Sequence, residues 1–166
     1  DRRAFEVRRR QAEQAQRVSD ERFRLLSSAS NDTIWDWNIE TNQLWWNENL
    51  EKVFGHKPSA IEPTLEAWTS RVHPDDRQEV TRAFHHVLDR GEDLFVAEYR
   101  FLRKSGTYAY VFDRGRVIRN DWGVAIRMVG AMTDVTERHR TMARVAEQAI
   151  GLLHGVIAIA VLRGAG

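Results

Sequence analysis

Residues 94–134 read LFVAEYRFLRKSGTYAYVFDRGRVIRNDWGVAIRMVGAMTD, and this stretch decides the fold. Apolar and polar side chains alternate along three runs within it, as they do in strands that bury one face. Residues 104–106 (Lys-Ser-Gly) separate the first two runs, and residues 120–123 (Asn-Asp-Trp-Gly) separate the last two. Both separators are typical of hairpin turns. The stretch therefore predicts an antiparallel meander of three strands.

Two more strands and several helices are predicted upstream of this stretch. Residues 33–39 alternate in the same way, with Trp35 and Trp37 on the predicted buried side, and residues 43–46 return after a turn as a hairpin partner. Residues 74–90 begin with Pro and two acids and end before Gly91, which is typical of a helix. Because strands and helices are segregated along the chain, their order predicts an α+β fold, with one sheet and helices packed on one face.

The composition excludes several classes of function. The 166 residues contain no cysteine, which excludes disulfides, Cys-ligated zinc and iron–sulfur clusters. The formal net charge is +1, and no run of about 18 apolar residues occurs. We therefore expect neither a nucleic-acid partner nor direct membrane insertion. Six Trp are expected to line a compact core. The chain starts at Asp1 without a signal-peptide pattern, which suggests a fragment or a processed chain.

Several short motifs occur in the order known from one protein family. They are Trp35-Asp36-Trp37, Phe54-Gly55, Val72-His73-Pro74-Asp75-Asp76-Arg77, Glu98-Tyr99-Arg100, Lys104-Ser105-Gly106, Gly130 and Asp134-Val135-Thr136-Glu137-Arg138. Together they resemble a PAS sensor domain, in the bacterial subgroup with Trp-rich first strands and a C-terminal PAC half. The resemblance covers residues 20–140 and implies a five-stranded antiparallel sheet flanked by helices.

The resemblance also implies a role in signalling. Such a module senses a ligand, a redox state or light, or mediates dimerisation, and it regulates a histidine kinase, a cyclase or a chemoreceptor. We divide the chain into an N-terminal helical extension (1–19), a PAS/PAC domain (20–137) and a C-terminal amphipathic, coiled-coil-like helix (138–166). Ser19 predicts the start of a new helix after the extension. The Arg-rich extension is either a solvated helix or a dimer-forming coil, and the sequence leaves both open.

Four residues are candidates for passing a signal from the sheet to the C-terminal helix. Asp134 and Thr136 lie where the last strand gives way to this helix, and both residue types cap helices well. Glu98 and Arg100 share one face of a strand, where they can pair with charges on neighbouring strands. The resemblance implies that the Asp–Thr corner holds the helix against the sheet. The alternative is that all four residues are purely architectural.

The C-terminal helix carries a heptad pattern. Seam positions separated alternately by four and three residues are typical of a parallel helix pair. The predicted dimer seam consists of Val135, His139, Met142, Ala146, Ala149, Leu153 and Val156. Its Ala residues predict a closely spaced, weak coil, and the alternative is that the tail packs on its own domain. His154 lacks the acidic or Asn neighbours of a phosphoacceptor box, and we find no ATP-binding segment, so we do not expect an enzyme.

Bulky side chains are predicted to face the space between the sheet and the helix at 75–90. These pocket candidates are Trp35, Trp37, Phe54, Trp68, Phe84, Tyr99, Tyr110 and Met128. Rings at most of these positions either fill a core or line a small-molecule pocket, and both remain open.

No catalytic residue, metal ligand or cofactor is expected, although a small-molecule ligand is possible. Asp75 and Asp76 diverge by about 100° on a helix, so they do not form a catalytic pair. Haem is not expected, because His85 flanks the apolar face of the helix and His86 points to solvent. Cysteinyl-flavin photochemistry is excluded because the chain has no cysteine.

The sequence thus predicts a cytoplasmic sensory and dimerisation module of a larger bacterial signalling protein. We expect a homodimer that passes a stimulus through its C-terminal helix to an output domain. The alternative is a receptor that binds a metabolite in its core as a monomer.

Overall fold

The structure is a computed structural model that describes residues 2–164, apart from the side chains of residues 20, 23, 24, 27, 28 and 155–164. The helices are α1 (Arg2–Ala29), α2 (Asn49–Phe54), α3 (Leu65–Thr69), α4 (Pro74–Arg90) and α5 (Thr136–Gly164), with a 3-10 helix at Pro58–Ala60. The strands are β1 (Thr33–Asn38), β2 (Gln43–Trp46), β3 (Leu94–Leu102), β4 (Tyr108–Arg119) and β5 (Ala125–Asp134).

The five strands form one antiparallel sheet in the order β2-β1-β5-β4-β3. The meander β3–β4–β5 is the one that the alternating sequence predicts. The first hairpin joins it through β1, which pairs with β5 so that Trp35 lies opposite Gly130. The α+β fold with a five-stranded antiparallel sheet is therefore confirmed.

The core lies between one face of the sheet and the helices α2, α3 and α4. Phe84 of α4 is at its centre, with its ring centroid 5.4 Å from that of Trp37, 5.2 Å from that of Trp68 and 5.3 Å from that of Phe95. The face of α4 that the sequence predicts to be apolar is thus the face that it buries. Aromatic rings from β1, β3 and α3 meet at this one side chain of α4, so the layers are held together mainly by apolar burial.

Two sequence predictions about packing and helix boundaries are wrong. Trp45 is 53% exposed and Trp122 is 85% exposed, so four Trp rather than six line the core. Trp45 occupies the outward position between Leu44 and Trp46 on β2, and Trp122 lies in the β4–β5 turn. Ser19 does not begin a new helix: α1 runs unbroken through it. The residues before Ser19 are strong helix formers, so the helix continues across this position. The predicted boundary at 19/20 falls inside this helix.

Candidate functional site

The candidate site is the corner where β5 ends and α5 begins. Asp134 Oδ1 accepts hydrogen bonds from the backbone N–H of Thr136 at 2.9 Å and from its hydroxyl at 2.6 Å. Thr136 Oγ1 in turn accepts the backbone N–H of Tyr110 at 3.0 Å, and the N–H of Val135 donates to the Tyr110 carbonyl at 2.8 Å. The first turn of α5 is therefore fastened to β4, where the sequence predicts a capping corner.

Arg103, which the sequence reasoning missed, connects this corner to α2. Its guanidinium donates to Asp134 Oδ2 at 2.5 Å and to the carbonyl of Val53 at 2.6 Å. The guanidinium carbon lies 5.8 Å from the centre of the Phe54 ring, which is buried in the core. Partial burial alone would raise the pKa of Asp134, but the hydrogen bonds from Thr136 and Arg103 together hold it below its ordinary value. Asp134 is therefore an ionised anchor at neutral pH.

Glu98 contacts α5 from the other side of the corner. Its carboxylate lies 3.5 Å from His139 Nε2 and 3.8 Å from Arg138 Nη2. The ring of His139 stacks on that of Tyr110, with 4.3 Å between centroids and 10° between planes. Glu98 thus joins Asp134 and Thr136 at the corner.

Arg100 does not belong to the corner. Its guanidinium donates to Asp76, in the first turn of α4, from Nε at 2.9 Å and from Nη2 at 2.6 Å. The hydrogen bond from Arg100 lowers the pKa of Asp76 and raises that of the guanidinium. The prediction that Glu98 and Arg100 pair with charges on neighbouring strands is wrong. Their register partners on β4 are the uncharged Phe112 and Tyr110. The Glu98 carboxylate contacts α5 instead, and the Arg100 guanidinium contacts α4.

The predicted pocket residues divide between the two faces of the sheet. Seven of them are buried in the core: Trp35, Trp37, Phe54, Trp68, Phe84, Tyr99 and Met128. Tyr110 is not, because β4 turns Ala109 and Val111 inward and Tyr110 outward. The core space bounded by Trp35, Trp37, Trp68 and Phe84 has a volume of about 10 Å³, which is at the lower limit of what can admit one water molecule. In this conformation the core therefore holds no ligand-sized cavity at that place.

A buried polar network crosses this core, and hydropathy does not reveal it. Asp113 is 1% exposed and accepts the indole N–H of Trp35 at 2.9 Å and the hydroxyl of Tyr99 at 2.7 Å. Tyr99 in turn accepts the indole N–H of Trp68 at 2.7 Å. The network links β1, β3, β4 and α3 through directional bonds. An acid at an inward position of an alternating strand is the one sequence signal that could have indicated it.

A broad groove lies on the opposite face of the sheet, beside α1. Its apolar floor comes from Ile34, Val129 and Ala131, and four Arg residues line it: Arg17 of α1 and Arg114, Arg116 and Arg127 of the sheet. Arg127 pairs with Asp36 across the neighbouring strand. This groove is separate from the predicted core pocket.

The predicted dimer seam runs along the exposed part of α5. Its first residues, Val135 and His139, are partly covered by the corner, whereas Met142, Ala146, Ala149 and Leu153 are exposed. Val156 lies outside the residues whose side chains are described. Up to Leu153, therefore, this chain leaves the apolar seam beyond the corner uncovered, and the tail does not pack on its own domain.

The described part of the chain shows no cluster of metal-binding side chains and no helix suited to a bilayer. No group of three or more His, Asp or Glu side chains there is placed to hold a metal ion. His85 and His86 are both exposed on α4. None of the helices in residues 2–164 combines the length and the apolar character needed to cross a bilayer.

Comparison with known proteins gives the same family as the motifs. The protein-family model described as PAS fold matches residues 43–132, which is 90 of the 166 residues. The chain is 33% identical over 92 residues to the methyl sulfide methyltransferase-associated sensor of Methanosarcina acetivorans. That match covers 55% of this chain and 9% of the relative, so the chain corresponds to a small part of that protein.

Two solved structures resemble the chain over nearly their whole length. One is a sensory box histidine kinase/response regulator from Burkholderia thailandensis, with 30% identity and a TM-score of 0.66 over 80% of this chain and 98% of that one. The other is the N-terminal domain of a diguanylate cyclase with a PAS/PAC sensor from Marinobacter aquaeolei. It has 27% identity and a TM-score of 0.61, over 65% of this chain and 98% of that one.

Proposed function

This chain belongs to the PAS fold family of signalling sensor domains, and from that we propose that it is a sensory and dimerisation module that relays a stimulus through α5 to an output domain. The observation that carries the proposal is the corner, where one ionised carboxylate joins the sheet, α2 and the first turn of α5. We propose a regulatory role rather than catalysis, and a cytoplasmic location.

The proposed route begins at the core. A change in packing around Phe54 moves the α2 carbonyl of Val53 and the ring beneath the Arg103 guanidinium. Arg103 transfers this displacement to Asp134, and Asp134 holds Thr136 through two hydrogen bonds. Each link is a charge-assisted or directional bond, so it transmits a displacement better than apolar contact alone does.

The proposed output is a helix pair. Met142 is 62% exposed in the single chain, and exposed apolar residues at heptad spacing are the pattern by which two helices bury a common seam. The partner we propose is a second copy of α5, in parallel, because a seam of matching a and d positions is complementary to itself. A rotation of the first turn of α5 at the corner then changes the crossing angle between the two helices of the pair.

We expect a charge in this seam to dissociate the dimer. Met142→Glu should raise the dimer dissociation constant at least about tenfold, because it places two carboxylates in an apolar interface. The measurement is sedimentation equilibrium of the 166-residue chain. Removing residues 138–166 should give a monomer.

Gln148→Glu is the matched control, since it adds the same charge to α5 at a position outside the seam. It should leave the dissociation constant within about twofold of the unmodified chain. A monomer before any substitution, or equal effects of both variants, contradicts dimerisation through this seam and favours the monomeric receptor. Native mass spectrometry then shows whether a metabolite co-purifies.

The corner can be tested separately by loosening α5. Thr136→Val keeps the side-chain shape but removes the hydroxyl that donates to Asp134 and accepts the N–H of Tyr110. Amides in the first turn of α5 should exchange hydrogen about tenfold faster, the effect of losing roughly 1.4 kcal/mol of local stability.

Thr141→Val provides the control for this experiment, because Thr141 is exposed one turn further along α5. It makes the same chemical change without touching the corner, and exchange in the first turn should stay unchanged. Equal exchange rates in the two variants would show that the Thr136 hydroxyl does not fasten the helix.

A further inference from the structure

Asp113 is a buried acid without a cationic partner. Of the residues that the structure describes, none with a basic side chain forms an ion pair with it, and the side chains that donate to it are those of Trp35 and Tyr99. A buried carboxylate is normally compensated by a cation, because desolvation strongly disfavours an isolated charge. The corner at Asp134 follows that rule through Arg103, and Asp113 does not.

The hydrogens of the network match an ionised carboxylate. The indole of Trp68 donates to Tyr99, the hydroxyl of Tyr99 donates to Asp113, and the indole of Trp35 also donates to Asp113. A proton bound to the Asp113 carboxyl adds a second O–H donor to a pair in which the Tyr99 hydroxyl already donates to that carboxyl. If it points at Tyr99, the phenol hydrogen loses its acceptor, so one buried donor is left unpaired unless the side chains move.

We propose that Asp113 is a proton-sensitive switch in the core: binding one proton at its carboxyl breaks or reverses the Tyr99–Asp113 hydrogen bond and shifts β3 relative to β4. The base is the carboxylate oxygen, the product is the neutral acid, and the proton comes from solvent. This input is distinct from a bound ligand, because it needs no cavity larger than the one present.

The position of the switch places it next to the corner. Tyr99 pairs with Val111 across β3 and β4, and Val111 pairs with Asp134 across β4 and β5. Asp113 itself lies opposite Met132, two residues before Asp134 on β5. A shift between β3 and β4 therefore acts on the strand pairs that hold the start of α5.

The surroundings of Asp113 favour titration near neutral pH. Burial raises the pKa of Asp113 to about 7, although bonds from Tyr99, Trp35 and the backbone N–H of Arg114 oppose the rise. The groups that face it are Trp35 of β1, Tyr99 of β3, Trp68 of α3, Phe84 of α4 and Met132 of β5. Only Tyr99 among these titrates, and burial together with the neighbouring Asp113 raises its pKa well above the usual value.

Carboxyl ¹³C NMR of the full chain, labelled at Asp, tests the switch directly. The resonance absent from Asp113→Asn belongs to Asp113, and its midpoint should lie near pH 7 rather than near the ordinary value of about 4. A midpoint below about pH 5 overturns the proposal. Between about pH 4 and pH 7 the folded chain then keeps a proton on Asp113 that the unfolded chain has lost. The free energy of unfolding, compared with that of Asp113→Asn, should therefore decrease as pH rises from about 4 to about 7.

Tyr99→Phe is a second variant that keeps the core packed if Asp113→Asn does not fold. It removes one donor to the carboxylate, so the ionised form is less stabilised and the midpoint should rise by about one pH unit. An unchanged midpoint contradicts the proposed role of the Tyr99 bond.

The amides of residues 134–138 report whether the switch reaches α5. Asp113→Asn imitates the neutral acid. At pH 8 the amides of this variant should therefore have the NMR chemical shifts that the unmodified chain shows near pH 5. Both proteins are measured over the same pH range, and the difference between their two curves isolates the contribution of Asp113. This coupling rests on the proposed relay. If the carboxyl titrates near neutral pH but these amides do not follow, the switch stands and the relay fails.

Discussion

Replacing Gly130 with Ala should lower the free energy of unfolding by at least about 3 kcal/mol, enough to unfold much of the protein. A Cβ at this position would lie 2.4 Å from the carbonyl oxygen of Arg114 and 2.4 Å from the ring of Trp35. Neither neighbour can move freely, because the carbonyl belongs to β4, which is paired with a strand on each side, and the Trp35 indole is bonded to Asp113. The measurement is urea unfolding followed by circular dichroism.

Gly151→Ala is the matched control for this substitution. Gly151 lies in α5, and a Cβ built there meets nothing within 4 Å. Alanine should leave the domain equally stable, or stabilise the helix by up to about 1 kcal/mol. A small effect at Gly130 would mean that Trp35 can leave its place on the sheet, and the Asp113 network would then lose its anchor on β1.

Replacing Arg119 with Ala should cost about 2–3 kcal/mol of stability and loosen the end of α4. Its guanidinium donates to the carbonyls of Val87 at 3.1 Å and of Glu92 at 2.9 Å, and to that of Gly123 in the β4–β5 turn at 3.2 Å. The Val87 carbonyl lies in the last turn of α4, where no further turn of helix is available to bond to it. Urea unfolding and hydrogen exchange at residues 86–92 measure the two effects.

Arg116→Ala makes the same change three residues earlier on β4. The side chain of Arg116 is exposed and forms no hydrogen bond or ion pair with the described residues, so its loss should change stability by less than about 0.5 kcal/mol. If both substitutions cost the same, the Arg119 clamp carries no stability of its own.

The strands and their order in the chain could be predicted from the sequence, because alternation is a local property. Trp35 and Trp37 sit on the buried face that their spacing predicts. The prediction that Tyr110 faces the core is wrong, since both faces of β4 carry apolar residues. The structure turns Ala109 and Val111 inward, and the aromatic residue outward onto His139. Residue size alone could not choose between these two phases.

The candidate site was only half visible in the sequence. Asp134 and Thr136 are two positions apart, so their capping geometry follows from local spacing. Arg103 lies 31 residues from Asp134 along the chain, and Glu98 reaches α5 only because β3 and β4 are paired. Contacts of that kind depend on strand register, which several turns and the whole core decide together.

By itself, the sequence determined the α+β architecture, the capping corner and the heptad pattern of the last helix, because each is written in residues close together in the chain. Only the tertiary structure decided which face of β4 is buried, which cation holds Asp134 and that, among the described residues, no cation pairs with the buried Asp113. The physical reason is that burial and ion pairing are set by neighbours distant in sequence. The same alternation of apolar residues admits either face of a strand until the opposing layer is in place.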